Sequence, residues 1–103
     1  MLGAQVIVVY PRKEGATFDK DYYLSTHMPL VEKHWKKHGL KSYAVKELNV
    51  DGPYTYMVVM EFESHEGFAA AGQDPNTKEV MDDVTNFSNN PPVLVHGGVI
   101  GRG

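Results

Sequence analysis

Apolar and polar positions change period several times along the chain, and each change marks an element. Residues 4–10 (AQVIVVY) are rich in β-branched side chains and stop at Pro11, which cannot continue the ladder of a central strand; they predict a first strand. A polar turn over residues 11–15 follows. Thr17 then stands where an N-cap hydroxyl belongs, with Asp19 and Asp21 placed to complement the dipole of a first helix. That helix runs through Tyr22, Tyr23 and Leu24 but meets Pro29, which lacks a backbone donor and turns Met28 from the α region. The expectation is a break near His27, a restart capped by Thr26, and an end at Gly39. Residues 41–50 alternate loosely up to the turn Asp51-Gly52-Pro53, and residues 54–62 (YTYMVVMEF) resume as a strand, giving a hairpin. Ser64 caps a short helix over residues 65–71. Asp74-Pro75 opens another, with Val80, Met81, Val84 and Phe87 at helical spacing, and residues 93–100 make the last strand.

The resulting order, β-α-β-β-α-β, is the ferredoxin-like α+β arrangement, with both helical layers on one face of a four-stranded antiparallel sheet. The pattern within the strands then poses a burial problem. Strand one presents Val6, Val8 and Tyr10 on one face and Gln5, Ile7 and Val9 on the other. Strand three presents Tyr54, Tyr56, Val58, Met60 and Phe62 against Thr55, Met57, Val59 and Glu61. Both faces are largely apolar, whereas a sheet with one wet face alternates cleanly. The helices cover one face only, so a second copy of the sheet is the expected cover and a homodimer the expected assembly. Size agrees: 103 residues make one domain, 1–103, and a domain this short buries only about 65% of its unfolded surface.

Charge and composition narrow the partners. A net charge of −3 and a pI near 5.9 argue against nucleic acid and anionic membranes, which need clustered basic residues. Lys36, Lys37 and Lys41 form the densest basic group and read as a solvated helix end. The absence of cysteine excludes disulfides, thiolate nucleophiles and cysteine-ligated metals, and makes a reducing cytoplasm the expected location. Met1 leads into an apolar run over residues 2–10 that is too short to span a bilayer, and nothing there resembles a signal peptide.

The remaining chemical inventory is five histidines, the aromatics and some carboxylates. His27, at the expected helix restart, lies where free N–H groups and the helix dipole favour neutral imidazole, a form suited to general-base work. A structural role, satisfying a backbone carbonyl at the break, stands equally with that reading. His34 and His38, four apart, share a helix face as two metal ligands would, but two lysines beside them and the lack of a third ligand leave no metal site expected. His96 on the last strand faces either a pocket or the dimer seam. Tyr10, Tyr22, Tyr23, Trp35 and Tyr56 each join an apolar body to a polar handle; core packing or the lining of a small pocket for a planar ligand accounts for them. Asp82 and Asp83 read as a solvated outer helix face.

The stretch over residues 9–19 (VYPRKEGATFD), continuing into Tyr22-Tyr23-Leu24-Ser25-Thr26-His27-Met28-Pro29-Leu30-Val31, resembles the EthD family, named for an ethyl tert-butyl ether degradation protein. The resemblance is carried by the first half of the chain. It implies the dimeric α+β barrel, in which two ferredoxin-like sheets pack face to face and each subunit keeps a cavity between sheet and helices. It also implies a functional role for His27, the motif histidine, with no cofactor. Similar domains include dehydratases, decarboxylases and cyclases of polyketide pathways, and relatives with this barrel include cofactor-free monooxygenases. The expected function is a cofactor-independent enzyme on a small cyclic or aromatic metabolite, with His27 catalytic and Tyr10, Tyr22, Tyr23, Trp35, Tyr56 and His96 binding substrate. The alternative is a non-catalytic ligand-binding protein serving an oxidative degradation pathway.

Overall fold

The structure, a computed structural model, describes residues 2–103; Met1, where the apolar N-terminal run begins, lies outside the described residues. Strands β1 (Ala4–Pro11), β2 (Leu40–Glu47), β3 (Tyr54–Phe62) and β4 (Val93–Gly98) form one antiparallel sheet in the order β2-β3-β1-β4. Between β1 and β2 runs one continuous helical path: α1 (Lys20–Tyr22), a π-helical turn (Tyr23–His27), α2 (Met28–Trp35) and a 3-10 turn (Lys36–His38). Between β3 and β4 lie α3 (His65–Gln73), α4 (Thr77–Asp82) and a 3-10 turn (Asp83–Asn86). The ferredoxin-like α+β order read from the pattern is the observed one. No described helix is long and apolar enough to cross a membrane.

Several local expectations change. The first helix is capped by Asp19, whose side chain accepts from the Tyr22 N–H at 3.1 Å; Thr17 instead hydrogen-bonds with Asn89, anchoring the loop to the far end of the chain. The path does not break at His27, and Thr26 caps nothing. The helix absorbs Pro29 by widening to a π turn, in which the Met28 N–H reaches back five residues to the Tyr23 carbonyl. Pro29 then falls in the first turn of α2, where its missing N–H costs little. At the other end Gly39 adopts φ +100° and closes the path, as its position after Lys36-Lys37-His38 suggested. Ser64 caps α3 by accepting from Gly67 N–H at 3.0 Å. A side chain at Gly67 would put its Cβ 2.2 Å from the His38 carbonyl oxygen, so only glycine lets α3 approach the end of the first helical path. The fourth helix begins later than Asp74-Pro75 suggests, because the Asp74 carboxylate is spent on Asn76 N–H, Lys37 and His38.

The core lies between the helices and one face of the sheet. Ala4, Val6 and Tyr10 of β1 and Val58, Met60 and Phe62 of β3 are buried there against Met28, Val31 and Trp35 of α2 and Val80 and Phe87 beyond α3. Register places the complementary residues on the open face: Ile7 faces Val59 and Val95, and Val9 faces Met57 and Val93. Ile7, Met57 and Val59 remain half-buried, and Val93 and Val95 are exposed. This apolar face has no cover from the chain itself.

Candidate active site

The π turn decides which side chains of the first helical path face the sheet. Its extra residue per turn brings Tyr23, His27 and Met28 inward together, and α2 continues with Val31 and Trp35. These side chains meet Tyr10, Val58 and Met60 from the sheet and Val80 and Val84 from the second helical layer around a cavity of about 150 Å³. Met81 and Leu94, both more than half or about half exposed, stand at its rim. The lining is almost wholly apolar, and His27 is its one base; the other side-chain nitrogen is the indole N–H of Trp35. That indole N–H is already committed to Thr77 Oγ1 at 2.8 Å, and Thr77 in turn donates to the Ala71 carbonyl.

His27 is fixed from three sides. Its ring stacks on Tyr23 (centroids 5.3 Å, 23° between planes) and leans on Phe87 at 4.5 Å. Its Nδ1 lies 2.9 Å from Asp83 Oδ2. With Nδ1–H donating to the carboxylate, Nε2 is left as a bare acceptor, and the space open to the ring is the cavity. Asp83 is held in its own network: the Tyr22 hydroxyl donates to Oδ1 at 2.5 Å and the Asn86 amide donates to the same oxygen at 2.9 Å.

The electrostatics follow from this geometry. Burial pushes the His27 imidazole below its ordinary value, and the Asp83 contact restores only part of the shift, so the neutral base is favoured. The cause is desolvation, not the helix-restart dipole expected from the sequence. Burial pushes the Asp83 carboxyl up, but hydrogen bonds from Tyr22, Asn86 and His27 together outweigh it and keep the carboxylate ionised. The Tyr10 and Tyr23 hydroxyls, buried beside one another, are raised well above the usual phenol range and remain donors. A neutral imidazole oriented by an ionised carboxylate, facing an apolar cavity, can accept a proton and hold the resulting charge.

Of the residues singled out by sequence, the structure brings Tyr10, Tyr23, His27 and Trp35 to this one cavity. Tyr22 is not in the lining; it stands behind His27 as a support of Asp83. Tyr56 stacks on Phe18 at 4.1 Å and lines a neighbouring cavity of about 270 Å³, with Tyr10 as the shared wall. His96 is exposed on β4 and stacks against His65. His34 and His38 do not converge: His34 bonds Glu79 and His38 bonds Asp74, each at 2.7 Å, and no group of three metal-binding side chains occurs among the described residues. Asp83 was missed, being read with Asp82 as an outer face. Asp82 is indeed exposed and pairs with Lys78, but Asp83 lies three residues after Val80 and four before Phe87, on the inward stripe of that helix. That spacing was the available signal.

Fold and site together define a ferredoxin-like α+β protein with a histidine-bearing apolar cavity. Its solved structural neighbours include EthD-like proteins. An EthD-like protein from Ralstonia eutropha JMP134 is 28% identical over 100% of this chain and 97% of its own, with a TM-score of 0.81. An EthD family protein from Bacillus halodurans C-125 is 23% identical over 95% and 99%, with a TM-score of 0.72. The fold extends to a dimeric ferredoxin-like protein from Thermobifida fusca (18% identity over 94% and 91%, TM-score 0.64). It also extends to SnoaB, a cofactor-independent oxygenase from Streptomyces nogalater (13% over 98% and 95%, TM-score 0.62). No family model and no curated protein matches the chain.

Proposed function

We propose that this single-domain chain is a cofactor-independent enzyme of the reducing cytoplasm, working as a homodimer, that uses His27 as general base on a small cyclic substrate. The observation that carries the reading is the His27–Asp83 pair at 2.9 Å behind an apolar cavity of about 150 Å³. A cavity of about that volume accepts one benzene-sized ring, and the lining offers no charge to meet an ionic substrate. The substrate class is therefore a neutral ring compound carrying one acidic C–H or O–H. His27 Nε2 takes that proton, Asp83 stabilises the imidazolium, and Tyr10 and Tyr23 supply the hydroxyls of the lining for the enolate or phenolate oxygen. Such an anion is the common starting point of oxygenation, dehydration and cyclisation, the chemistries that the EthD resemblance suggests. Dimerisation is supported by the uncovered apolar sheet face and by the dimeric relative.

The test is hydrogen–deuterium exchange. In D2O, with cyclic ketones and monocyclic phenols as probes, the protein should accelerate exchange at an enolisable C–H or bind the phenolate form. His27→Gln should lower the exchange rate about 10²–10⁴-fold. Exchange undiminished by that substitution would sink the catalytic assignment. Binding of the probes with neither exchange nor conversion would favour a ligand-binding accessory protein, a reading the small number of polar groups in the lining also supports.

A further inference from the structure

The cavity of about 270 Å³ beside the His27 site has a chemistry of its own. It lies where β1 ends and β3 begins, under the loop that joins β1 to α1. Tyr10, Phe18 and Tyr56 give it aromatic walls, Arg12 and Lys13 supply two cations, and no carboxylate lines it. In a chain of net charge −3 such a lining selects an anion. Lys13 forms no ion pair among the described residues. Arg12 is anchored, with Nε donating to the Gly52 carbonyl at 2.8 Å and Nη2 to the Asn49 carbonyl at 2.9 Å. Nη1 is the end of its fork left for an anion. The loop itself is knitted in place: Thr17 N–H donates to Asn89 Oδ1 at 2.8 Å, Asn89 Nδ2 donates to the Gly15 carbonyl at 3.1 Å, and Phe18 bridges to Ser88. A ligand would meet a site already formed.

Asn90 adds a second requirement. It is 7% exposed, and its Nδ2 donates to the Pro11 carbonyl at 2.7 Å, which fixes the orientation of the amide. No described group donates to its Oδ1, yet no sealed side-chain oxygen or nitrogen lacks a partner among the described residues. Oδ1 is therefore open, and the space that Asn90 lines is this cavity. Tyr10 and Tyr56 belong to the helix side of the sheet, so a partner on the open face leaves the cavity free. Only Thr55 of the lining comes from the open-face set, and its hydroxyl donates to the Tyr10 carbonyl. We propose that the cavity binds a hydroxyaryl carboxylate. The ring lies among Tyr10, Phe18 and Tyr56, the carboxylate meets Lys13 and Arg12, and the phenol O–H donates to Asn90 Oδ1. Size agrees, since a cavity of about 150 Å³ takes a benzene-sized ring and this one leaves room for the two substituents. The two cavities thus sort ligands by charge, neutral within and anionic here, and the second stands whether or not His27 is catalytic.

The probe is 4-hydroxybenzoate, titrated into the full chain and followed by proton–nitrogen correlation NMR. Shifts should saturate at the Thr17 and Phe18 amides and the Asn90 side-chain amide, while the indole N–H of Trp35, in the wall of the His27 cavity, stays in place. Lys13→Met, at an exposed position, should weaken binding about ten-fold, the scale of one charge-assisted hydrogen bond, and the same spectra show that the variant folds. Benzoate, which lacks the donor, and phenol, which lacks the charge, should each bind at least about five-fold more weakly. Undiminished binding to Lys13→Met, benzoate or phenol binding as tightly as the probe, shifts centred on Trp35, or no saturation at about 10 mM would overturn the site.

Discussion

The two faces of the sheet are built from the same strands and nearly the same residue types, yet they have opposite fates. On the helix side Val6 and Val58 are 0% and 2% exposed; on the other side their strand neighbours Ile7 and Val59 are half-buried, while the edge strand β4 is exposed on both sides, at Leu94 as at Val93 and Val95. Composition does not separate the faces, since valine and methionine serve both. What separates them is cover. The closed face is completed by the chain's own helices and keeps one small cavity where His27 replaces a hydrocarbon. The open face has no such cover from the chain itself.

The largest expected effect tests the closed face. Phe62→Ala should cost about 3–5 kcal/mol, by analogy with buried aromatic truncations, and lower the denaturant midpoint of the chain whatever its oligomeric state. A loss below about 1 kcal/mol would mean that this face is not the core. Val59→Lys, one strand position from buried Val58, puts a charge on the open face. It should weaken self-association at least ten-fold in sedimentation experiments while the subunit stays folded. If the parent protein is monomeric at high micromolar concentration, the expected role of that face is wrong.

The smallest effect concerns pH and sharpens the contrast, because only the closed face holds a buried base. The folded state depresses the His27 imidazole below its ordinary 6.5, so the unfolded chain takes up that proton first as the pH falls. The stability associated with the neutral imidazole is therefore complete above about pH 6.5 and is lost as the pH drops through the range just beneath. His27→Gln should flatten that slope in urea melts. The lowered carboxyls of Asp74 and Asp83 should produce a separate loss beneath 3.8 in both proteins.

The strands and their two-faced character were legible because period-2 alternation and β-branched runs are properties of consecutive residues. So was the stop at Gly39. The EthD-like motif singled out His27 as a candidate, and four of the seven candidate residues, Tyr10, Tyr23, His27 and Trp35, meet at one cavity. The rest depended on distance in the chain. Asp83 reaches His27 across 56 positions and His96 reaches His65 across 31, and no local pattern encodes which carboxylate or imidazole a fold will bring near. Tyr56 was expected among the substrate-binding aromatics for its apolar body and polar handle; it lies on the cavity's side of the sheet but one aromatic layer away, stacked on Phe18. Pro29 announced a disturbance and was read as a break near His27, where the helix instead widens and continues.

The widening has a consequence for the chain as a string of letters. An α-helix advances about 100° per residue, so the extra residue in the turn from Tyr23 to His27 acts as a phase shifter between two helical messages. Upstream positions are set by Asp19 and the loop; downstream positions must bury Met28, Val31 and Trp35. A deletion of exposed Ser25 would leave composition and hydropathy almost untouched, and would return the turn to α geometry with both messages in phase. It would, however, set the Pro29 ring against the carbonyl four residues back. In this helix the count of residues carries as much information as their identity.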